Sequence, residues 1–174
     1  WSSDVCSSDL GEIATVVGRY YAMDRDQRWE RVEKAYRLYT EGAGYHAQDI
    51  ASFLDKYYAE SKDFDTNGLA YTDEFIPPTI FQPDVVMQPD DGVIFWNFRV
   101  DRAGEITQAF VENTFSHFPR SHVFHHFVAT TQYYDEYTGP IAFGQERVAT
   151  PLGKVLANNG VKQLRIAETE KWAY

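Results

Sequence analysis

Two short apolar runs, each closed by an arginine and followed by a segment with helical spacing, constrain the fold of this chain most. The first is Ile13–Val17, rich in β-branched residues and ending at Gly18-Arg19; the second is Val93–Phe98, ending directly at Arg99. Short continuous runs of this kind predict strands buried in a parallel sheet. After the first run, Asp26 is the expected N-cap. Trp29, Val32, Tyr36 and Tyr39 then recur at helical spacing until Gly42 and Gly44 end the helix. A second helix is expected over Ile50–Tyr58, with Ile50, Phe53, Leu54 and Tyr57 on one face. Residues 64–91 read as loop, interrupted by Pro77, Pro78, Pro83 and Pro89. A helix over 102–111, a strand over 123–130, a connection over 139–148, a helix over 151–158 with Leu152, Val155 and Leu156 inward, and a last strand over 163–167 complete the pattern. Strands alternating with helices predict an α/β fold, a mostly parallel sheet flanked by helices.

Composition narrows the function. The 174 residues carry 16 Lys+Arg against 26 Asp+Glu, a net charge of -10, which argues against a nucleic-acid-binding surface. Hydrophobic residues make up 44%, enough for a packed core, yet no apolar run is long enough to predict a membrane span. A single cysteine excludes an intrachain disulfide framework and, with no signal peptide in view, favours a cytoplasmic location. Residues 1–10 (WSSDVCSSDL) have no periodicity and read as a foreign or processing-derived leader, or as an ordinary frayed terminus.

An acidic protein that binds a small anion must gather its few arginines in one place. Here the same local design occurs twice: Arg19 and Arg25 follow the first strand, and Arg99 and Arg102 follow the second. Ligands of open α/β sheets bind beyond the carboxyl ends of the strands, where helix N-termini and guanidinium groups attract carboxylate and phosphate. If the two strands are neighbours, the four arginines converge, with Asp24 and Asp101 orienting them or accepting a ligand hydroxyl. The alternative is surface ion pairing, worth at most about 1 kcal/mol a pair. Arg28 and Arg31 are expected on a solvated helix face with Glu30 and Glu33.

Other constellations carry less. His117, His122, His125 and His126 are close in sequence, but adjacent residues on a strand point to opposite faces, so packing or hydrogen bonding is their expected role. Gly42-Ala43-Gly44 follows a helix and is no dinucleotide fingerprint; a P-loop and a G-x-S-x-G elbow are absent.

Three stretches, in order, carry a resemblance: GRYYAMDRDQRWERVEKAY (18–36), GVIFWNFRVDRAGEIT (92–107) and PLGKVLANNGVKQLRIAETEKWAY (151–174). They resemble the cofactor-independent, manganese-dependent phosphoglycerate mutases, from Gly11 to the last residue. That family has a phosphatase domain related to alkaline phosphatase, with a nucleophilic serine and two manganese ions, and an inserted transferase domain that holds the glycerate. The resemblance implies interconversion of 2- and 3-phosphoglycerate in glycolysis and gluconeogenesis, through a phosphoserine, by a cytoplasmic isomerase.

It also implies that Arg19, Arg25, Arg99, Val100, Asp101, Arg102 and Lys171 contact substrate. Residues 11–147 would be part of the transferase domain, and 148–174 the hinge and the start of the return to the phosphatase domain. The chain departs from the family at Val100, where proline is usual, and at Gly104, where arginine is commoner. The serine and the manganese ligands match nothing here. The chain is therefore expected to be an internal fragment, inactive alone, whose partner is a small phosphorylated acid rather than nucleic acid or membrane, with a monomeric parent. The rival readings are a stand-alone binding module for phosphorylated acids and a structural domain with its arginines in surface pairs.

Overall fold

The structure is a computed structural model; it describes residues 11–59, 72–144, 149–164 and 166. The leader at 1–10 and Lys171 lie outside the described residues. In order the elements are β1 (Thr15–Val16), α1 (Arg19–Ala22), α2 (Trp29–Glu41), β2 (Tyr45–His46), α3 (Ile50–Ala59), a 3-10 turn (Asp73–Phe75), β3 (Thr79–Ile80), β4 (Gly92–Phe95), α4 (Val100–Val111), β5 (His126–Ala129) and α5 (Leu152–Asn158). The chain is α/β, but among the described residues one mostly parallel sheet is replaced by two small ones. In the first, β3 lies between β1, antiparallel to it, and β2, parallel to it. In the second, β4 and β5 pair in parallel.

The condition that the two arginine-bearing strands be neighbours is therefore not met: β1 and β4 lie in different sheets. A further correction is that β3, the middle strand of the first sheet, lies in the proline-rich stretch read as loop. Pro77 and Pro78 precede it, so the ladder donors are intact at Thr79 and Ile80. The run at 93–98 is also not buried on both faces: Ile94 and Trp96 are exposed, and Trp96 packs on Phe98 and Phe143 with ring centroids 5.5 and 6.2 Å apart.

The helices organise the core. Val32, Ala35 and Tyr36 of α2 are buried in one cluster with Ala103, Ile106, Ala109 and Phe110 of α4 and Phe127 of β5. Burying each large side chain stabilises the fold by roughly 1.5–3 kcal/mol. Tyr36 also donates its hydroxyl proton to His122 O at 2.6 Å, so its polar end is satisfied. Gly42, at φ 68, closes α2 in the left-handed conformation that its sequence position predicted. A second cluster of Phe53, Tyr57, Ile76 and Phe81 fixes α3 beside the first sheet.

Helix α5 forms where expected, but its apolar face is not inward: Leu152 is 73% exposed and Val155 is exposed as well. The apolar spacing correctly signals a helix, while its cover is not supplied by the described residues. Gln163, Leu164 and Ile166, expected in a last strand, lie outside any strand; residues 165 and 167 are outside the described residues.

Candidate anion site at the starts of two packed helices

Strand pairing does not bring the arginines together; helix packing does. Because α2 and α4 pack in the same cluster, the turn before α2 (residues 24–28) lies against the first turn of α4. Arg25 Nη1 donates to Asp101 Oδ2 at 2.7 Å, and Arg99 Nε donates to Asp101 Oδ1 at 2.8 Å. Arg102 Nη1 donates to Met23 O at 3.1 Å, tying the residue just before that turn to α4. Two of the four predicted arginines, Arg25 and Arg99, thus meet around one carboxylate, and a third, Arg102, bonds the backbone beside them. Asp101 retains only 10% of its side-chain exposure, against 31% for Arg25 and 47% for Arg99. The carboxylate therefore lies beneath guanidiniums that reach solvent. Burial pushes the Asp101 carboxyl up, but the bonds from Arg99 and Arg25 outweigh it and hold it below the usual carboxylate range. Val100 is the first residue of α4, a position that tolerates proline because no intrahelical N–H bond is lost there.

Arg19 is placed apart from these three. Gly18 approaches the 3-10 turn so closely that a Cβ on it would lie 2.3 Å from Glu74 O, which explains the glycine, and Gly18 N–H donates to Ile76 O at 2.7 Å. That approach sets Arg19 Nη2 2.5 Å from Glu74 Oε2. Arg19 nevertheless lines a cleft of about 380 Å³ with Val17, Met23, Phe95, Trp96 and Asn97, so the ends of β1 and β4 share one opening. A larger cleft of about 410 Å³ lies elsewhere, lined by Glu112, His125, Tyr134 and Glu136. Its carboxylates make it unsuited to an anion.

The turn at 24–28 corrects two expectations. The N-cap of α2 is Arg28, not Asp26, and no side chain caps it; Asp24 instead closes the turn before the helix, its Oδ2 accepting the N–H groups of Asp26 and Arg28, both at 2.9 Å. Arg28 and Arg31 do not pair with Glu30 and Glu33. Arg28 donates to Asp26 Oδ2 at 2.6 Å, Arg31 lies 3.6 Å from Asp24 and stacks over Tyr20, and Glu33 pairs with Arg37. Burial raises the Asp24 carboxyl, but its two backbone donors and the Arg28 and Arg31 charges prevail and lower it.

Residues not singled out from sequence hold the second turn. Asn97 Oδ1 accepts Arg99 N–H at 2.8 Å, while Asn97 N–H donates to Thr130 Oγ1 at 3.1 Å. The Thr130 hydroxyl donates to Phe95 O at 2.6 Å, and the Tyr133 hydroxyl donates to Asn97 O at 2.6 Å. Thr130 and Tyr133 are buried, so these bonds form in low dielectric and fix where Arg99 leaves the strand. An Asn two residues before the N-cap residue of a helix is the one sequence signal that could have revealed this turn.

The histidines take up separate tasks: His117 stacks on Trp29 at 3.9 Å, and His122 Nε2 lies 3.0 Å from Met87 O. The carboxylates nearest the arginines are committed to guanidinium and backbone donors, and among the described residues no group of three His, Cys, Asp or Glu side chains is set to hold a metal. The manganese ions implied by the resemblance therefore do not fit these residues.

Residues 2–135 match the BPG-independent PGAM N-terminus family. The chain belongs to this family. The match includes most of the decapeptide read as a leader. Curated relatives agree. The chain is 46% identical over 172 residues to the 2,3-bisphosphoglycerate-independent phosphoglycerate mutase of Methanococcoides burtonii, covering 95% of this chain and 32% of that protein. It is 45% identical over 170 residues to the enzyme of that name from Clostridium acetobutylicum, again with 95% and 32% covered. A Synechococcus relative of the same name is 46% identical over 165 residues, with 94% and 29% covered. The chain thus spans about a third of the length of the curated relatives it matches. None of its described helices is long and apolar enough to cross a membrane.

Proposed function

We propose that this chain supplies the arginine clamp for phosphoglycerate in a 2,3-bisphosphoglycerate-independent phosphoglycerate mutase, an isomerase interconverting 2- and 3-phosphoglycerate. The observation that carries it is the convergence of Arg25 and Arg99 on a partly buried Asp101, with Arg102 bonding the Met23 carbonyl beside the facing turn. Asp101 aligns two guanidiniums whose exposed edges can donate to phosphate or carboxylate oxygens in bidentate fashion. Holding both ends of a small trianion while one hydroxyl gives up a phosphoryl group and the other receives it is work for fixed donors, since positioning and charge stabilisation dominate phosphoryl transfer. Arg19, at the rim of the shared cleft, reaches the ligand by leaving Glu74. Lys171 completes the contact set in this reading, and the division into a transferase part at 11–147 and a hinge at 148–174 belongs to it too. In this reading the residues named here bind and orient the substrate, manganese supplies the phosphoryl-transfer chemistry through a phosphoserine, and the reaction is glycolytic and cytoplasmic.

Calorimetric titration of the chain with 3-phosphoglycerate tests this. Saturable binding that Arg99→Ala weakens by tenfold or more, about 1.4 kcal/mol, supports the clamp. No binding by the native chain removes it.

A further inference from the structure

We propose that Glu105 is a positioning residue of the arginine site: its hydrogen bond to the Gln27 N–H pins the turn at 24–28 onto α4 and so sets Arg25 against Asp101. The proposal rests on the clamp reading for its functional half only; its structural half concerns the free chain.

Asp101 and Glu105 are four residues apart on α4 and share one face. Arg25 and Gln27 are two residues apart on the facing turn. Two parallel cross-links result: Arg25 Nη1 to Asp101 Oδ2 at 2.7 Å, and Gln27 N–H to Glu105 Oε1 at 2.9 Å. Gln27 has φ 58, and among the described residues it is the one non-glycine residue with positive φ. A residue with a side chain holds that conformation when its surroundings fix it. The fixing groups are visible. Three successive N–H groups, of Asp26, Gln27 and Arg28, end on carboxyl oxygens, the outer two on Asp24 and the middle one on Glu105. Without Glu105 the middle donor loses its acceptor, and the left-handed step that aims Arg25 loses its support.

The state of Glu105 agrees with this use. Burial, then the charge of Asp24 and a side-chain hydrogen bond with it, and the charge of Asp26, push its carboxyl up to about 7 despite the Gln27 bond. A neutral acid needs only an accepting oxygen to hold Gln27, so an amide should serve in its place.

Amide exchange by NMR on the 174-residue chain tests the structural half without any ligand. In Glu105→Ala the Gln27 amide should exchange about tenfold faster, while those of Ala109 and Phe110 keep their native rates. The Arg25 guanidinium resonance should move toward its free position. Glu105→Gln should retain the native Gln27 rate and Arg25 resonance. Glu105→Asp, one methylene too short, should reproduce the alanine result in a milder form and serves if the alanine variant does not fold. Equal Gln27 exchange in native and Asp or Ala variants, or an Arg25 resonance that ignores them, overturns the proposal. With 3-phosphoglycerate added, Glu105→Asp should bind about tenfold more weakly and Glu105→Gln within about twofold of native. A native chain that binds none would defeat the clamp reading, while the ligand-free exchange result would still decide the role of Glu105.

Discussion

The two strand-to-helix turns begin from the same recipe and end differently. After β4, Arg99 immediately precedes a twelve-residue helix, and the Asn97, Thr130 and Tyr133 bonds fix its exit. After β1, the chain makes only the four-residue α1 and then a loop, so Arg19 and Arg25 part: one goes to Glu74, the other crosses to Asp101. An arginine after a strand becomes part of a shared site only when the next helix begins at once or when another carboxylate draws it across. The second turn is the platform, and the first is a flap pinned to it.

Substitutions can break that contrast. The largest effect is expected from Gly18→Ala, whose Cβ would collide with backbone at Glu74; about 3 kcal/mol of stability should be lost in urea unfolding, with the Arg19–Glu74 contact disrupted. Asp101→Asn strikes both turns together and should cost about 2 kcal/mol, since it leaves two guanidiniums without their shared charge. Its pH signature has a definite sign. A carboxyl held below its ordinary value contributes stability that is present in full above the unfolded pKa of about 3.8 and is lost as pH falls through the folded value. Acid unfolding should therefore begin at higher pH in the native chain relative to its own plateau than in Asp101→Asn, whose curve is flatter. Glu105 acts in the opposite sense: with its carboxyl raised to about 7, its burial costs more as pH rises from about 4.5 to 7, and Glu105→Gln should remove that slope. Thr130→Val should cost about 1.5 kcal/mol by orphaning Asn97 N–H, and should disturb Arg99 without touching Arg19. The smallest effect, within about 0.5 kcal/mol, is expected for the stability of Arg19→Ala, because its pair with Glu74 is exposed.

The strongly periodic segments were legible. Trp29, Val32 and Tyr36 mark α2 because a helix must bury one stripe, and Gly42 marks its end because a left-handed cap favours glycine. Strand β3 was not, since two residues after a pair of prolines give no alternation to read. The sheet order was not legible either. Two apolar runs signal burial but not which partner they choose, and the arginines met through α2 and α4 instead. Arg25, Arg99 and Asp101 could be picked from their place after strands. Glu105 and Tyr133 could not, because a glutamate within a helix and a tyrosine in a loop look like solvent-facing residues until the facing turn is in place.

The central claim is that Arg25, Arg99 and Arg102 serve one anionic ligand. Guanidinium NMR during titration with 3-phosphoglycerate tests it most directly, with Arg120, which caps α4 through Ala109 O and Glu112 O, as an internal control. The Arg25, Arg99 and Arg102 signals should shift together along one saturating curve while Arg120 stays still. Signals that stay fixed, or that drift together with Arg120 without saturating, would contradict it.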